Sequence, residues 1–253
     1  MTAQILLWDI ETSPNLGYVW GMWDQNVVKF HSEWHMLSVA WKWKGSKSVD
    51  VAGLDDFPMF ANDPEDDQGL ARLAQDLFNK ADVVVAHNGV AFDTKKAQAR
   101  MAFHNLFPPS PYREVDTLTQ ARKHFAFTSN RLDDLCQHLG LGKKAKTNGF
   151  ETWLGCMNGD PAAWARMKKY NKHDVVLLER LYDRLLPWMT GVPNLATISG
   201  ESSVCPKCGS DKGMMRRGYA ATAVSRRVTY QCKACGGYSR GRATEIVASR
   251  YVV

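Results

Sequence analysis

Four carboxylates and one phenol stand where they could work on one another. Asp9 and Glu11 lie two apart in Trp8-Asp9-Ile10-Glu11-Thr12, Asp93 closes the run His87-Asn88-Gly89-Val90-Ala91-Phe92-Asp93, and Tyr170 and Asp174 are four apart. Residues two apart on a strand project to one face, and residues four apart on a helix share a side. Carboxylates gathered this way repel one another unless a cation sits among them, and hard oxygen donors suit Mg²⁺ or Mn²⁺. Each acid also has an ordinary alternative: a turn residue for Asp9 and Glu11, a helix-start charge worth about 0.3 to 1 kcal/mol for Asp93, and chance for the Tyr170–Asp174 pair.

A second constellation is softer. Cys205-x2-Cys208 and Cys232-x2-Cys235 have the spacing of two zinc knuckles, each followed by a glycine, Gly209 and Gly236, that permits a left-handed turn. They predict one structural Zn²⁺ held by Cys205, Cys208, Cys232 and Cys235. Strands are expected between the knuckles, from Gly213 to Gln231, and again from Ala243 to Val252. Some fifty residues hold too little core to fold without the metal. Cys136 falls at helical spacing with Leu132, Leu135 and Leu139 and reads as core, while Cys156 has no assignment.

The elements that must position these groups alternate in kind. Residues 4 to 10 form an apolar run suited to a strand buried on both faces. Leu37, Val39, Trp41 and Trp43 alternate as a second strand, and a third is expected near 47 to 53. Asp63-Pro64 marks a helix start before Leu70, Leu73, Ala74, Leu77 and Phe78. The strand Val83 to Ala86 leads through His87-Asn88-Gly89 to a helix from Asp93 to about Leu106. Val115-Asp116-Thr117 begins a short strand or a helix entry, a helix spans 131 to 139, and Asp160-Pro161 starts a long helix that ends before Pro187. Trp164, Met167, Asn171, Val175, Leu178, Leu181 and Leu185 lie along one side of that helix. The class is α/β, with a mixed sheet flanked by helices in residues 1–190, a linker at 191–203 and a small β zinc-ribbon domain at 204–253.

Charge separates the two parts. The chain carries a net +6 over 253 residues; from Glu201 onward there are 10 Lys/Arg against 3 Asp/Glu, so the last fifth holds the whole positive excess. Four thiolates around Zn²⁺ would contribute −2 and leave that segment basic. Such a segment attracts polyanions, nucleic acid above all, although a solubilising tail is the plain alternative. No apolar run approaches the roughly 20 residues of a membrane span, and the first residues do not have the basic start and apolar stretch expected of a signal peptide. A cytoplasmic location, in a bacterium or a phage-infected host cell, is the expectation.

Taken in order, the three acidic motifs resemble the DEDD superfamily of 3′-to-5′ exonucleases, which has a ribonuclease H-like fold. The tyrosine-x3-aspartate spacing of Tyr170 and Asp174 places the likeness in the tyrosine branch, since Lys169 occupies the position where the histidine branch has its base. Val115-Asp116-Thr117-Leu118, Asn130-Arg131-Leu132-Asp133 and Leu139-Gly140-Leu141 also look similar to YprB-type stand-alone exonucleases of phages and bacteria, relatives of family-B polymerase proofreading domains. The resemblance covers about residues 1 to 190.

It implies two Mg²⁺ or Mn²⁺ ions on Asp9, Glu11, Asp93 and Asp174, with Tyr170 orienting the attacking water. It implies hydrolysis of phosphodiester bonds at single-stranded 3′ ends, DNA favoured over RNA, with Thr12 and Asn88 at the terminal nucleotide. Phe92 would wedge there or, more ordinarily, pack in the core. Asp116 fits a cap or a supporting role, and His87 a turn hydrogen bond. His173, next to Asp174 but about 100° round the helix, is expected to do no chemistry.

For substrate contact, Lys143 and Lys144, with Lys146, Phe150 and Trp153, form a basic-aromatic loop. Trp20, Trp23 and Trp34 offer stacking surfaces. On the ribbon, Arg216, Arg217, Arg226 and Arg227, with Arg240 and Arg242, are expected to form one phosphate-binding face with Tyr219 and Tyr230 as stacking partners, the rival being a ribbon that docks a replication or repair protein. Two other readings of the whole stay open: a non-catalytic nucleic-acid-binding or replisome-docking protein on a nuclease fold, and a structure-specific endonuclease.

Overall fold

The computed structural model describes residues 2–23 and 25–246. In chain order the elements are β1 (Ile5–Thr12), β2 (Leu16–Tyr18), β3 (Lys29–Ser32), β4 (Met36–Trp43), β5 (Asp50–Gly53), α1 (Gln68–Lys80), β6 (Val83–Ala86), α2 (Asp93–Phe103), β7 (Arg113–Asp116), α3 (Thr117–His124), α4 (Leu132–His138), α5 (Phe150–Met157), α6 (Pro161–Leu185), α7 (Leu195–Ser199), β8 (Met214–Ala221), β9 (Ser225–Cys232), β10 (Tyr238–Arg240) and β11 (Glu245–Ile246). Five strands make a mixed sheet in the order β5-β4-β1-β6-β7, with β1 antiparallel to β4 and parallel to β6. β8 to β11 form a separate antiparallel sheet, and β2 and β3 a small hairpin. The expected α/β body and small β ribbon are both present.

β1 is central because both its faces are covered. Leu6, Trp8 and Ile10 join one apolar cluster with Leu70, Ala74 and Phe78 of α1 and Trp164 of α6. Trp8 meets Phe78 edge-on at 4.6 Å between ring centroids. Ile5 and Leu7 point the other way, into a cluster with Val175, Leu178 and Leu181 of α6 and Leu135 of α4. Burying each such aliphatic side chain contributes about 1.5–3 kcal/mol. α6 is further tied to β4 by Lys42 with Glu179 at 2.5 Å, and to the turn after β4 by Lys44 with Asp183 at 2.6 Å.

Three local expectations shift. α1 begins at Gln68, five residues after Asp63, whose Oδ1 instead accepts the Glu65 N–H in a turn. The stretch around Val115 is both alternatives at once, strand β7 running directly into helix α3. Within the expected linker, α7 forms and buries Leu195. Of the strand expected from Ala243 to Val252, Glu245–Ile246 pairs with β9, and positions 247–253 lie outside the described residues.

Candidate active site

Alternation along β1 decides what faces α6. Asp9 and Glu11 continue the row of Ile5 and Leu7, and α6 runs over that row. Where Val175, Leu178 and Leu181 meet the apolar half, Tyr170, Asn171 and Asp174 meet the acidic half. Ligand oxygens of Asp9, Glu11 and Asp174 come within 4.8 Å of one another. Asp93, first residue of α2, stands beside this trio: its Oδ1 accepts the N–H of Ile10, the neighbour of Asp9, at 3.2 Å. Thus three of the four predicted acids form one cluster, and the fourth braces the strand that carries two of them.

The acids are costly to hold charged. Burial, and then the charges of Asp93, Asp174 and Glu11, push Asp9 well above its ordinary range. Burial and the neighbouring Asp174 push Glu11 up to about 8, and burial raises Asp93 to about 7. Burial also raises Asp174, with Lys144 pulling against it.

Lys144 is the cation inside this group. Its Nζ donates to Tyr170 Oη at 2.7 Å and to Asp174 Oδ2 at 2.5 Å, while its backbone N–H is fixed by Asp133 Oδ1 at 2.7 Å. Burial drives the Tyr170 phenol above its ordinary value, so it stays protonated at neutral pH. Asp174 is 1 % exposed, and its buried Oδ1 has no hydrogen-bond partner. An orphaned carboxylate oxygen aimed among two further carboxylates fits a hard divalent cation, which would satisfy it and relieve the repulsion.

The supporting roles of Asn171 and Ser38 escaped the sequence reading. Asn171 Nδ2 donates to Asp9 Oδ2 at 2.6 Å, and its Oδ1 accepts from Ser38 Oγ at 2.8 Å, so Asp9 is held in one orientation from β4 and α6 together. The available signal was a wholly buried amide on the otherwise apolar side of α6. Lys144 was expected to meet substrate from a loop; it reaches the acidic cluster itself. Lys143 is exposed, and its carbonyl accepts from His173 Nε2 at 2.8 Å, which gives His173 a loop-holding role.

The turn after β6 builds the cleft wall. Asn88 takes a positive φ of 71°, and its N–H donates to Asp116 Oδ1 at 2.9 Å, the same oxygen that caps α3 through Leu118 N. Gly89 is required because a Cβ there would lie 2.4 Å from Ala86 Cβ. His87 bridges Thr117 Oγ1 and the Asn130 carbonyl, each at 2.9 Å, as a turn hydrogen-bonder. Phe92 is not core: it is 38 % exposed, beside Lys96, whose Nζ donates to Thr12 Oγ1 at 3.3 Å. Trp34 stacks under the same ammonium at 3.8 Å, and Trp20 and Trp23 lie exposed near the β2–β3 hairpin. A cleft of about 700 Å³ runs from Asp9 past Asn88 to Arg122, Ser129 and Arg131.

In the second sheet, Cys205, Cys208, Cys232 and Cys235 bring their Sγ atoms within 4.8 Å of one another, as the knuckle spacing predicts. Gly209 and Gly236 adopt the left-handed φ of 70° and 76°. Burial raises the Cys232 thiol, but the N–H groups of Cys235 and Ala234, together with the thiols of Cys205 and Cys208, outweigh it and bring it to about 7, suited to a thiolate ligand. The four arginines expected on one face divide between two. Arg216 and Arg226 both lie over Tyr219, whereas Arg217 reaches Gln231 on the other side, which Arg227 shares through its register with Ala220 and two-residue spacing from Thr229. Cys136 is buried as expected, and Cys156 proves buried too. Among the described residues no helix is long and apolar enough to cross a membrane.

Comparison with known proteins agrees with this architecture. The family model of the RNase H superfamily matches residues 48–186, a segment that includes Asp93, Tyr170 and Asp174 and begins after β1. Among solved structures, the chain is similar to a family B DNA polymerase from the hyperthermophilic archaeon Pyrobaculum calidifontis, with TM-score 0.54 and 18% identity, over 74% of this chain. The chain spans 25% of that polymerase, and the likeness is one of fold. Among curated proteins none matches the chain.

Proposed function

The chain belongs to the RNase H superfamily, and from that premise we propose that it is a metal-dependent 3′-to-5′ exonuclease of single-stranded nucleic acid, DNA favoured. The observation that carries this reading is the convergence of Asp9, Glu11 and Asp174 within 4.8 Å, beneath Tyr170 and beside Lys144. Asp9, Glu11 and Asp174, with Asp93 alongside, would hold two Mg²⁺ or Mn²⁺ ions. When bound, such ions acidify water and neutralise the charge that gathers on phosphate during in-line displacement.

The chain's own side chains then have separable tasks. Asn171 fixes the orientation of Asp9. Tyr170, protonated at neutral pH, positions the attacking water by hydrogen bonding and does not abstract its proton. Lys144 places a full positive charge at the cluster, where the phosphate becomes more negative in the transition state. Asn88, Thr12 and Phe92 border the cluster and would seat the terminal nucleotide, with Lys143 at the loop edge. The ribbon, held by Zn²⁺, would add phosphate contacts through its arginines.

The test uses oligonucleotides labelled at the 5′ end, with Mg²⁺ or Mn²⁺ supplied. Products should shorten stepwise from the 3′ end, a circular single strand should remain intact, and Asp174→Asn should lower the rate by at least about a thousandfold, the scale expected when charge stabilisation at the reacting centre is lost. Robust cleavage by that variant, or loss of the circle, would sink the assignment.

A further inference from the structure

A groove of about 740 Å³ lies where the ribbon meets the end of α6. Trp188 and Tyr238 line it from the two sides, each 54 % exposed. Among the described residues its charged lining groups are Lys207 and Arg240, with no carboxylate. Lys207 is used structurally, its Nζ donating to the carbonyls of Pro187 and Met189 at 2.7 and 2.8 Å. Those bonds pin the first knuckle to the nuclease body. Among the described residues, Arg240 remains as the groove's open cation.

The groove does not end at the ribbon. Trp188 packs edge-on against Phe125 at 5.7 Å between centroids, and Phe125 stacks on Phe127 at 5.0 Å. Phe127 is followed by Thr128 and Ser129, which already line the catalytic cleft together with Asp9 and Asn88. α3 is the partition between the two hollows. On one side Gln120 bonds both the N–H and the carbonyl of Thr190, a groove residue; on the other, Leu118 and Arg122 line the cleft. A helix with its side chains is about 10–12 Å across, so the groove and the cleft are one helix apart.

We propose that Tyr238, Trp188, Phe125 and Phe127 form a continuous aromatic track, flanked by Arg240 and Arg122, that binds the single strand upstream of the 3′ end seated in the catalytic cleft. The occupant follows from the chemistry of the lining. The exposed rings of Trp188 and Tyr238 offer stacking to any base without regard to sequence. Phe125 and Phe127, partly buried against the core, continue the apolar surface towards the cleft. Arg240, with no carboxylate among the described residues of the groove lining, favours a phosphate chain. The ribbon is therefore a wall of the substrate path, and its inward face, carrying Tyr238 and Arg240, does the gripping. This rests on the exonuclease reading above, because the track is given its direction by the cleft.

The full chain supplies the test. KM is measured for thymidine oligonucleotides of 3 and 12 residues, and binding of the 12-mer by fluorescence anisotropy in the Asp174→Asn background. The intact chain should show a KM at least about tenfold lower for the 12-mer. In Trp188→Ala/Tyr238→Ala that ratio should collapse towards one, and anisotropy should show the 12-mer bound at least about tenfold more weakly, as expected when two base-stacking rings are lost. Trp188→Phe/Tyr238→Phe, which keeps rings in place, should restore most of both effects; failure of that rescue would mean that the alanine variant merely unseats the ribbon and would overturn the track. An unchanged length ratio and unchanged anisotropy would also overturn it, leaving the exonuclease reading intact. If the chain hydrolyses nothing, that reading fails, and anisotropy alone still decides whether the track binds.

Discussion

Lys144 is the side chain on which the candidate site balances. Its ammonium is bonded to Tyr170 and Asp174, and its charge also lowers the pKa of Asp9 and Glu11 against the burial that raises them. Lys144→Met keeps the length and removes the charge. The expected result is a kcat lowered by about tenfold to a hundredfold, because Tyr170 loses the donor that orients it and the site loses a fixed positive charge. Mn²⁺ affinity, read by calorimetry, should hold or tighten, since a cation beside the ligands is gone. A variant with normal kcat would show that Lys144 only fills space. At this scale the acids and Tyr170 were legible because their types are expensive to bury and their spacing matches strand and helix periods. Lys144 was half legible: its charge was visible, but a lysine on a loop carries no period that says where its head will land. Asn171 was hidden for the opposite reason, since periodicity placed it correctly on the buried side of α6 while its amide partner, Asp9, is 162 positions away.

Among elements, the sheet strands and long helices followed their periods, and misreadings came where a side chain had a distant partner. Asp63-Pro64 has the local chemistry of a helix start, yet α1 waits for Asp67. That carboxylate is fully buried and bonds Arg100, His104 and the N–H of Met36, a tertiary knot that fixes where the helix can begin. His87 plays the same part for the cleft wall, joining the end of β6 to α3 and to the loop at Asn130. Burial holds its pKa below the ordinary 6.5. Folded protein therefore binds fewer protons here than unfolded chain, so the stability from neutral His87 is complete above pH 6.5 and is lost as pH falls through the lower folded value. His87→Gln should be less stable than the parent by about 1–3 kcal/mol at pH 8, from two weakened buried hydrogen bonds. The gap should narrow steadily below pH 6.5, because the variant has nothing to protonate. Parallel urea titrations giving a constant gap from pH 8 to about 5 would contradict this.

At the scale of the molecule, the ribbon and the nuclease body are held by different physics. The body has two apolar clusters on either side of β1. In the ribbon, among the described residues from Met214 to Ile246, Cys232 supplies the one fully buried side chain, and every aliphatic and aromatic group there is at least partly exposed. What closes the ribbon is then the cluster of four thiols, with Cys205 and Cys235 at 3.9 Å and Cys208 and Cys232 at 3.8 Å, suited to a tetrahedral Zn²⁺. Binding free energy of that ion becomes folding free energy of the ribbon. Attachment to the body is through Lys207 and the bond from Leu195 N–H to the Pro206 carbonyl at 2.9 Å, both on the first knuckle. Zinc removal should accordingly unlatch one wall of the substrate path without unfolding the sheet that carries Asp9. The chain as purified should release one Zn²⁺ when its thiols are blocked by a mercurial in the presence of a chromophoric indicator. Limited proteolysis should then cut between Gly213 and Ile246 while residues 1–190 persist as a resistant fragment. With excess Mg²⁺ restored, cleavage of a trinucleotide should continue, and the advantage of a 12-residue substrate should fall at least about tenfold. Release of no zinc, or a ribbon that stays protease-resistant after release, would mean that the four cysteines close the sheet by some other chemistry.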